Sequence, residues 1–147
     1  MREITFKDLM INDLQKMRDW QFAVDQQTEE LTTLEEEYAT IKATDYDKMP
    51  GGSGDNVQEE KMLTAIAKRD QKRHELELTK RKIADINRLL DQLDEEERQV
   101  IQETVIGRKS FDVLSRELHC DISTISRKRN RALNRLCQLR HGAVYQP

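Results

Sequence analysis

A glycine-rich break between two long amphipathic stretches constrains the fold of this chain more than any other feature. The break is Met49–Gly54, in which a proline precedes three glycines. Proline fixes one backbone dihedral and donates no hydrogen bond, and glycine has no preference for helix. Each flanking stretch has a helical apolar pattern over roughly 35 residues, or about 50 Å of helix. Two such helices joined by a flexible loop most simply fold back as an antiparallel coiled-coil hairpin.

The apolar stripes on the two sides of the break define the two predicted helices. Part of the first stripe has the heptad-like spacing of a coiled coil. Its apolar members are Leu9, Met10, Leu14, Met17, Trp20, Val24, Leu31, Leu34, Tyr38 and Ile41. The second stripe is Ala65, Ile66, Leu76, Ile83, Ile86, Leu90 and Leu93. The predicted segments are an acidic coiled-coil helix over residues 1–41, a flexible loop over 42–57, a second coiled-coil helix over 58–93 and a C-terminal module over 94–147.

Three apolar side chains near the middle of the first helix predict self-association. Trp20, Phe22 and Val24 spread over more than one helical face, so a single partner helix cannot cover all of them. Left in water, they would form an apolar patch of a kind that monomers avoid. We therefore expect these three residues to mediate oligomerisation, as a dimer or a tetramer.

Charge is distributed unevenly along the chain. Residues 1–60 contain 6 basic and 15 acidic side chains, whereas residues 108–147 contain 9 basic and 3 acidic ones. A uniformly acidic protein would repel nucleic acid. This chain instead joins an acidic region to a basic one, which favours DNA contact through the C-terminal module and a separate role for the remainder.

The C-terminal module is predicted to contain three short helices. Asp94 and Glu97 form a capping box for the first helix, and Gly107 supplies its C-cap. Ser110 caps the second helix and Asp121 caps the third. The predicted core positions are Val100, Ile101, Val105, Phe111, Leu114, Leu118, Ile125, Leu133 and Leu136. A short helix, a tight turn and a second helix form the usual apparatus for placing side chains in the DNA major groove.

The third helix is strongly basic, and one of its faces suits the edges of DNA bases. From Ile122 to Arg140 there are six basic side chains and no acidic one. Arginine can pair with guanine, asparagine with adenine, serine with either, and isoleucine can touch a thymine methyl. The predicted base-reading set, which shares one side of the helix, is Ile122, Ser123, Ser126, Arg127 and Asn130.

Side chains that flank the base-reading set are predicted to contact DNA phosphates. Basic side chains supply charge, and the free N–H groups at the helix start beside Ser110 add a neutral anion contact. The predicted phosphate-contacting set is Lys109, Ser110, Arg116, Lys128, Arg129, Arg131 and Arg135. The competing interpretation is a helical bundle with a solvated basic face.

An ordered group of residues in the C-terminal module resembles the helix-turn-helix of sigma-70 region 4. The matching positions are Glu97, Arg98, Val100, Ile101, Gly107, Ser110, Phe111, Leu114, Ser115, Glu117, Leu118, Ser123–Arg127, Arg131, Ala132, Leu133 and Leu136. The chain departs from the pattern at three places. His119 stands where a turn glycine is common, Lys128 replaces an apolar residue, and Glu103 occupies a position that is often apolar.

The whole chain is similar to the small phage and prophage regulators of the ArpU/RinA type. The similarity rests on an acidic helical region, then Met49–Gly54, then the region-4-like module. The resemblance implies a phage or prophage late-gene activator that binds double-stranded DNA at the nucleoid of a bacterial host. It places all of the base-reading set except Asn130 at base-facing positions, and Ser110 and Arg131 at backbone-facing ones. The coiled coil would oligomerise the protein or contact host RNA polymerase.

Two other functions fit the same pattern. A phage small terminase subunit, which recognises packaging DNA, also combines a helix-turn-helix with a helical oligomerisation region, and a ring-shaped assembly would identify it. A sigma region-4 mimic would bind RNA polymerase rather than DNA. The exposed pair Arg127 and Asn130 speaks against the mimic, because a polymerase contact needs no polar set that reads bases.

The sequence predicts no enzyme, no cofactor, no metal and no membrane span. It contains no nucleophile–base pair and no phosphate-binding glycine loop beside a lysine. Cys137 and His141 are spaced i, i+4, with His119 and Cys120 nearby, but the spacing fits no zinc finger or ribbon. Two cysteines without a disulfide framework favour a reduced, cytosolic location, and no apolar run is long enough to span a bilayer.

Overall fold

The computed structural model describes residues 3–46 and 55–141, and within these residues the protein is all-α, as predicted. The helical elements are α1 (Phe6–Gln15), α2 (Met17–Tyr46), α3 (Asp55–Leu90), α4 (Glu95–Ile101), a π-helical turn (Gln102–Ile106), α5 (Phe111–Leu118) and α6 (Ile122–His141). The described residues contain no strand. None of these helices is both long enough and apolar enough to cross a membrane.

The single helix expected for the N-terminal region is two helices. α1 and α2 are separated by Lys16, whose N–H is shared among preceding carbonyls and whose backbone tightens to φ −78° and ψ −11°. α1 begins where the sequence can cap it. The Thr5 hydroxyl accepts from the Asp8 N–H at 3.2 Å, and the Asp8 carboxylate accepts from the Thr5 N–H at 3.1 Å. These reciprocal bonds satisfy two of the free donors at the start of the helix.

The predicted flexible loop over residues 42–57 is too wide, because helix extends into both of its ends. α2 continues to Tyr46, and α3 begins at Asp55. Residues 42–46 contain neither proline nor glycine, so nothing in the local sequence ends the helix there. The glycine-rich residues 47–54, which prompted the loop prediction, lie outside the described part of the chain.

The first of two compact units combines Met1–Trp20 with Lys82–Pro147. Its main core is Met10, Leu14, Met17, Ile86, Leu90, Leu93, Ile101, Val105, Ala132, Leu133, Leu136 and Cys137. This unit is larger than the predicted module of residues 94–147, because α1 and the end of α3 belong to it. The reason is apolar burial. Met10 and Leu14 of α1 have no exposed surface, and α1 packs on α6.

A smaller core in the first unit holds α5 against its neighbours. Its buried members are Val100, Leu114 and Ile125, with Phe111, Leu118 and Cys120 packed around them. Together with the main core, it accounts for every core position predicted for the C-terminal module. The buried side of α6 is therefore fixed by two apolar clusters.

The second unit, Gln21–Arg81, buries few side chains. The buried and half-buried positions of α3 in this unit include a series in alternating steps of four and three residues. The series is Gln58, Met62, Ala65, Arg69, Lys72, Leu76 and Thr79, and the neighbouring Ile66 and Glu75 are half-buried as well. Several of these side chains are polar or charged, which leaves the seam of the second unit with little apolar surface to bury.

Polar contacts join α2 to α3 within the second unit. The Gln58 side-chain amide donates to the Ile41 carbonyl at 3.2 Å. The Lys72 ammonium lies 2.5 Å from a Glu30 carboxylate oxygen. Ile41, late in α2, therefore contacts Gln58, early in α3. Glu30, earlier in α2, contacts Lys72, later in α3.

Candidate nucleic-acid interface

A sharp turn connects α5 to α6. At the start of α5, the Ser110 hydroxyl accepts from the Val113 N–H at 3.3 Å, which confirms its predicted capping role. At its end, His119 has left-handed backbone angles, φ 54° and ψ 43°. The Ser115 hydroxyl donates to the Cys120 carbonyl at 2.5 Å across the turn. His119, which stands where a turn glycine is common in the region-4 pattern, thus has a left-handed backbone. Glycine adopts this conformation without steric cost, whereas a residue with a side chain is destabilised by roughly 1–2 kcal/mol.

α6 starts immediately after this turn. The Asp121 carbonyl accepts from the N–H groups of Thr124 and Ile125, at 3.0 and 3.2 Å. The Ile125 side chain has no exposed surface and belongs to the smaller core. The first turns of α6 are therefore anchored on one side only, and the opposite side faces outward.

The outward side of α6 holds the predicted base-reading set. Ile122, Ser123, Arg127 and Asn130 are exposed, and Ser126 is half-buried. The Arg127 Nε donates to the Ser123 carbonyl at 3.5 Å, a long bond that lays the guanidinium along the helix surface. The five side chains therefore share one accessible face whose chemistry is polar at four positions and apolar at one.

Four members of the predicted phosphate-contacting set are exposed. They are Ser110, Arg116, Arg131 and Arg135. Arg131 and Arg135 lie one helical turn apart on α6, so their side chains project from the same flank. This flank is available to an anion approaching α6 from outside.

Lys109, by contrast, is held by two carboxylates. Its ammonium lies 2.7 Å from a Glu117 oxygen and 2.9 Å from a Glu103 oxygen. Hydrogen bonds raise the pKa of Lys109, and the bond to Glu117 contributes more than the bond to Glu103. The departure from the region-4 pattern at Glu103 therefore has a structural role, because its carboxylate pairs with a cation. A phosphate at Lys109 would have to compete with both partners.

Lys128 and Arg129 also differ from simple exposed cations. The Lys128 ammonium lies 3.0 Å from a carboxylate oxygen of Glu96 on α4. Lys128, which stands where the region-4 pattern has an apolar residue, is therefore paired with an acidic side chain. Arg129 is half-buried, and burial lowers the pKa of its guanidinium. It stands four residues from the buried Ile125 and Leu133 and three from Ser126, which places it at the edge between the buried stripe of α6 and the base-reading set. Its half-buried guanidinium is less accessible to a phosphate than those of Arg131 and Arg135.

An acidic pair at the start of α4 acts electrostatically on the exposed flank of α6. The Asp94 carboxylate accepts from the Glu97 N–H at 2.8 Å, which confirms Asp94 as the N-cap, and this bond lowers the pKa of Asp94. The reciprocal half of the capping box, from Glu97 back to the Asp94 N–H, stays a prediction. Burial, aided by Asp94, raises the pKa of Glu97, whose residue is 5% exposed. The positive charges of Arg135 and Arg131 oppose that rise. Part of the positive potential of α6 is thus balanced by α4.

The connection from the π-helical turn to α5 depends on a glycine for space. A Cβ on Gly107 would lie 2.9 Å from the Glu103 carbonyl oxygen and 3.0 Å from that of Gln102. Gly107 is the predicted C-cap, but its φ is −78°, so it does not supply a left-handed conformation. The left-handed residue is Arg108, with φ 54°. Glycine is required at 107 for close backbone approach instead.

One neighbour of the base-reading set comes from the other end of the chain. The Lys7 ammonium of α1 donates to the Asn130 side-chain oxygen at 3.2 Å. Nearby, the Arg140 guanidinium lies 2.6 Å from an Asp13 oxygen. Sequence reasoning missed Lys7, because a single polar pair separated by more than a hundred residues leaves no periodic signal.

The three residues predicted to mediate oligomerisation occupy different environments. Trp20 is half-buried against the main core of the first unit, and the Lys82 ammonium lies 5.9 Å from the centre of its ring. Phe22 is 63% exposed, and Val24 is half-buried. The protein's own core therefore covers part of Trp20, and the rest of its surface is accessible. Self-association stays a prediction, with Phe22 as its exposed member.

The residues considered for a metal serve in packing. Cys137 is fully buried in the main core, and this burial raises the pKa of its thiol. The His141 ring stacks on Phe6, with ring centroids 4.4 Å apart. Among residues 3–46 and 55–141, no group of three or more histidine, cysteine or carboxylate side chains could hold a metal ion.

Comparisons of this chain with protein-family models, with curated proteins and with solved structures gave no match. The resemblance to sigma-70 region 4 and to ArpU/RinA-type regulators therefore stays a prediction. The exposed face of α6 and its surroundings are the basis on which function can be proposed.

Proposed function

We propose that this protein is a sequence-specific DNA-binding transcription regulator, and that α5, its turn and α6 form a helix-turn-helix. The observation that carries the proposal is the exposed face of α6, which holds the base-reading set next to a cationic flank. In the proposed complex, α6 enters the major groove, whose width of about 12 Å admits a helix. Ile125 stays in the core on the opposite side of α6.

The proposed division of labour follows the chemistry of each side chain. Arg127 offers a forked donor for guanine, Asn130 an amide, Ser123 and Ser126 hydroxyls, and Ile122 a methyl contact for thymine. Arg116, Arg131 and Arg135 contact phosphates, which fix the position of the helix on the duplex.

The intramolecular ion pairs set the strength of the electrostatic contribution. Lys109 and Lys128 already bind carboxylates. Only cations that neutralise phosphates release counterions and contribute to the salt dependence of binding. We therefore expect the salt dependence to follow the three exposed arginines and to be weaker than the total basic charge of the segment suggests.

We further propose that α2 and α3 form an antiparallel coiled-coil hairpin. A series of buried and half-buried positions of α3 in alternating three- and four-residue steps supports this arrangement. A single recognition helix with few base contacts binds weakly, and two copies on one site would multiply affinity. The hairpin would supply that second copy, as a dimer or a tetramer with Phe22 in the contact, or would bind host RNA polymerase.

The biological class we propose is a phage or prophage late-gene activator. Its support is the similarity of the whole chain to ArpU/RinA-type regulators, which rests on the acidic helical region, the Met49–Gly54 segment and the region-4-like module in that order. The protein would then act on double-stranded DNA in the cytoplasm of a bacterial host, at the nucleoid.

Selection of randomised duplex DNA by the full-length protein tests this proposal. We expect one enriched motif, protected in a footprint on promoter-proximal DNA. Ser123→Glu, which places a carboxylate on the exposed face, should abolish the enrichment. Thr33→Glu, at an exposed position of α2, should not.

Three other outcomes would contradict the proposal in different ways. Absence of any enriched motif would remove sequence-specific binding. Retention of RNA polymerase without DNA enrichment would favour a region-4 mimic. A ring-shaped assembly that protects DNA at packaging genes would favour a small terminase subunit.

A further inference from the structure

The contact between Lys7 and Asn130 places a cation from α1 beside the exposed face of α6. The Lys7 ammonium donates to Oδ1 of Asn130 at 3.2 Å. Asn130 is exposed, and Lys7 is half-buried. The contact therefore lies at the edge of the base-reading set, where a bound duplex would meet it.

The position of Lys7 is fixed by the packing of α1. Met10 and Leu14 are fully buried in the main core beside Leu133 and other residues of α6. An ion pair at 2.6 Å between Arg140 and Asp13 adds a second attachment of the same two helices. Lys7 thus approaches Asn130 from a helix held in place by the core.

The ammonium determines which way the Asn130 amide points. An asparagine side chain carries one oxygen acceptor and an NH2 group with two donors, whereas an ammonium group only donates. The Asn130 oxygen must therefore face Lys7, which leaves the NH2 group for an external partner. A second N–H donor that approached this oxygen would meet the positive charge of Lys7.

Bidentate recognition of adenine by asparagine needs an amide oxygen that is free to accept a hydrogen bond. The amide oxygen must accept from adenine N6, while the NH2 group donates to N7. Guanine instead presents two acceptors, N7 and O6, on the same edge. The Lys7 ammonium occupies one of the two lone pairs of the Asn130 oxygen and places a positive charge beside the other. An asparagine held in this way matches guanine better than adenine.

We propose that Lys7 is a specificity-determining positioning residue, which makes Asn130 a donor and turns its base preference from adenine to guanine. This inference rests on the proposed function and refines it. It also extends the recognition surface beyond residues 94–147, because a side chain near the N-terminus sets the chemistry of a residue in α6.

Base preference of full-length variants in randomised duplex selection tests this inference. In Lys7→Met the amide is free to turn, so the one motif position that Asn130→Ala identifies should shift from guanine toward adenine. The ratio of the affinity for duplexes with guanine at that position to the affinity for duplexes with adenine there should fall about tenfold, which is the size of a single good base contact. Lys16→Met, an equivalent change at an exposed residue after α1, should leave every position unchanged. In the Asn130→Ala background, Lys7→Met should no longer alter base preference.

Two results of the selection would overturn the inference while leaving the proposed function intact. One is a uniform loss of affinity in Lys7→Met with unchanged base preference, which would make Lys7 a phosphate contact. The other is an equal effect of Lys7→Met with and without Asn130. A wild-type protein that enriches no motif would overturn both. The side-chain amide NMR signals of Asn130 should move in Lys7→Met without DNA, and unmoved signals would remove the contact itself.

Discussion

The two units of this protein are stabilised by different interactions. In the described residues, the fully buried apolar side chains lie in the first unit, whereas the second unit buries only Ala65 and Leu76 among its apolar residues, each with some exposed surface. Its seam instead includes Arg69 and Lys72. A unit stabilised by apolar packing can hold α6 in one position, because close-packed interiors resist displacement. A seam rich in charge is expected to be less stable and more sensitive to salt.

The largest expected effect is the loss of a buried leucine from α1. Leu14→Ala should destabilise the first unit by about 2–5 kcal/mol, because Leu14 is fully buried in the main core. Leu31→Ala, at a half-buried position of the second unit, should cost less. During urea unfolding, fluorescence of Trp20, the single tryptophan, reports on the first unit, and circular dichroism reports on the helices of both units.

The half-exposed Leu9 provides a control on the same helix. Leu9→Ala removes the same atoms from α1 at a position that is 45% exposed, so its cost should stay below about 1 kcal/mol. Equal losses for Leu9→Ala and Leu14→Ala would mean that α1 does not complete the first unit.

The next effect concerns the connection that carries α5 and α6 within the first unit. Gly107→Ala should cost roughly 1–3 kcal/mol, because its Cβ would lie 2.9 Å from a backbone oxygen. Arg108→Gly should change stability by less than about 1 kcal/mol, since relief of the left-handed strain offsets the added chain entropy. Thermal unfolding of both variants measures the contrast. A harmless Gly107→Ala would contradict the close approach.

A pH dependence should also be specific to the first unit. Burial raises the pKa of Glu97 above its ordinary 4.5, so the folded state binds this proton more tightly than the unfolded state. Its stabilising contribution is complete below pH 4.5 and is lost as pH rises through the raised value. Asp94 has the opposite sign: its contribution is present above its ordinary 3.8 and is lost as pH falls through its lowered pKa.

Glu97→Gln should therefore remove the loss of stability as pH rises above 4.5. Urea unfolding of the first unit, followed by Trp20 fluorescence over a pH series, measures the slope. Glu95→Gln, at an exposed position in the same turn, controls for the loss of one charge. If wild type and Glu97→Gln had the same slope, Glu97 would not titrate differently on folding.

The smallest effect is expected in the second unit. Lys72 lies between Glu30 and Glu75 at a seam position, with ammonium–oxygen distances of 2.5 and 3.0 Å. Salt should weaken these attractions, and Lys72→Met should make the second unit less sensitive to salt while supplying apolar surface to the seam. Lys80→Met, at an exposed position of α3, is the matched control. Circular dichroism melts at low and high salt would reveal the difference, and equal salt sensitivity would remove the ionic contribution.

The elements of the C-terminal module were predictable because their signals are local. Asp94 and Ser110 mark helix starts through short-range capping, and Ile125 and Leu133 follow from helical periodicity. The exposed face of α6 follows from the same periodicity. A residue whose neighbours lie close in sequence can thus be placed from sequence alone.

The features that escaped prediction depend on contacts between distant segments or on backbone geometry. Nothing near Met10 and Leu14 indicates that their partners lie in α6, so their stripe fitted a coiled coil equally well. The ion pairs of Lys109 and Lys128 depend on how three helices meet. Gly107 was assigned its position correctly for the wrong reason, because sequence does not distinguish a left-handed glycine from one that makes room.

The central claim, that the exposed face of α6 reads DNA sequence, is tested most directly by titrating Arg127→Ala and Arg131→Ala on the selected duplex and on random DNA. A bidentate arginine–guanine pair contributes about 1–3 kcal/mol of discrimination. We expect Arg127→Ala to lose that amount on the selected duplex and almost nothing on random DNA. Arg131→Ala should weaken both and flatten the salt dependence, while Arg81→Ala, an exposed arginine of α3, changes neither. An equal loss on both duplexes for Arg127→Ala would contradict the claim.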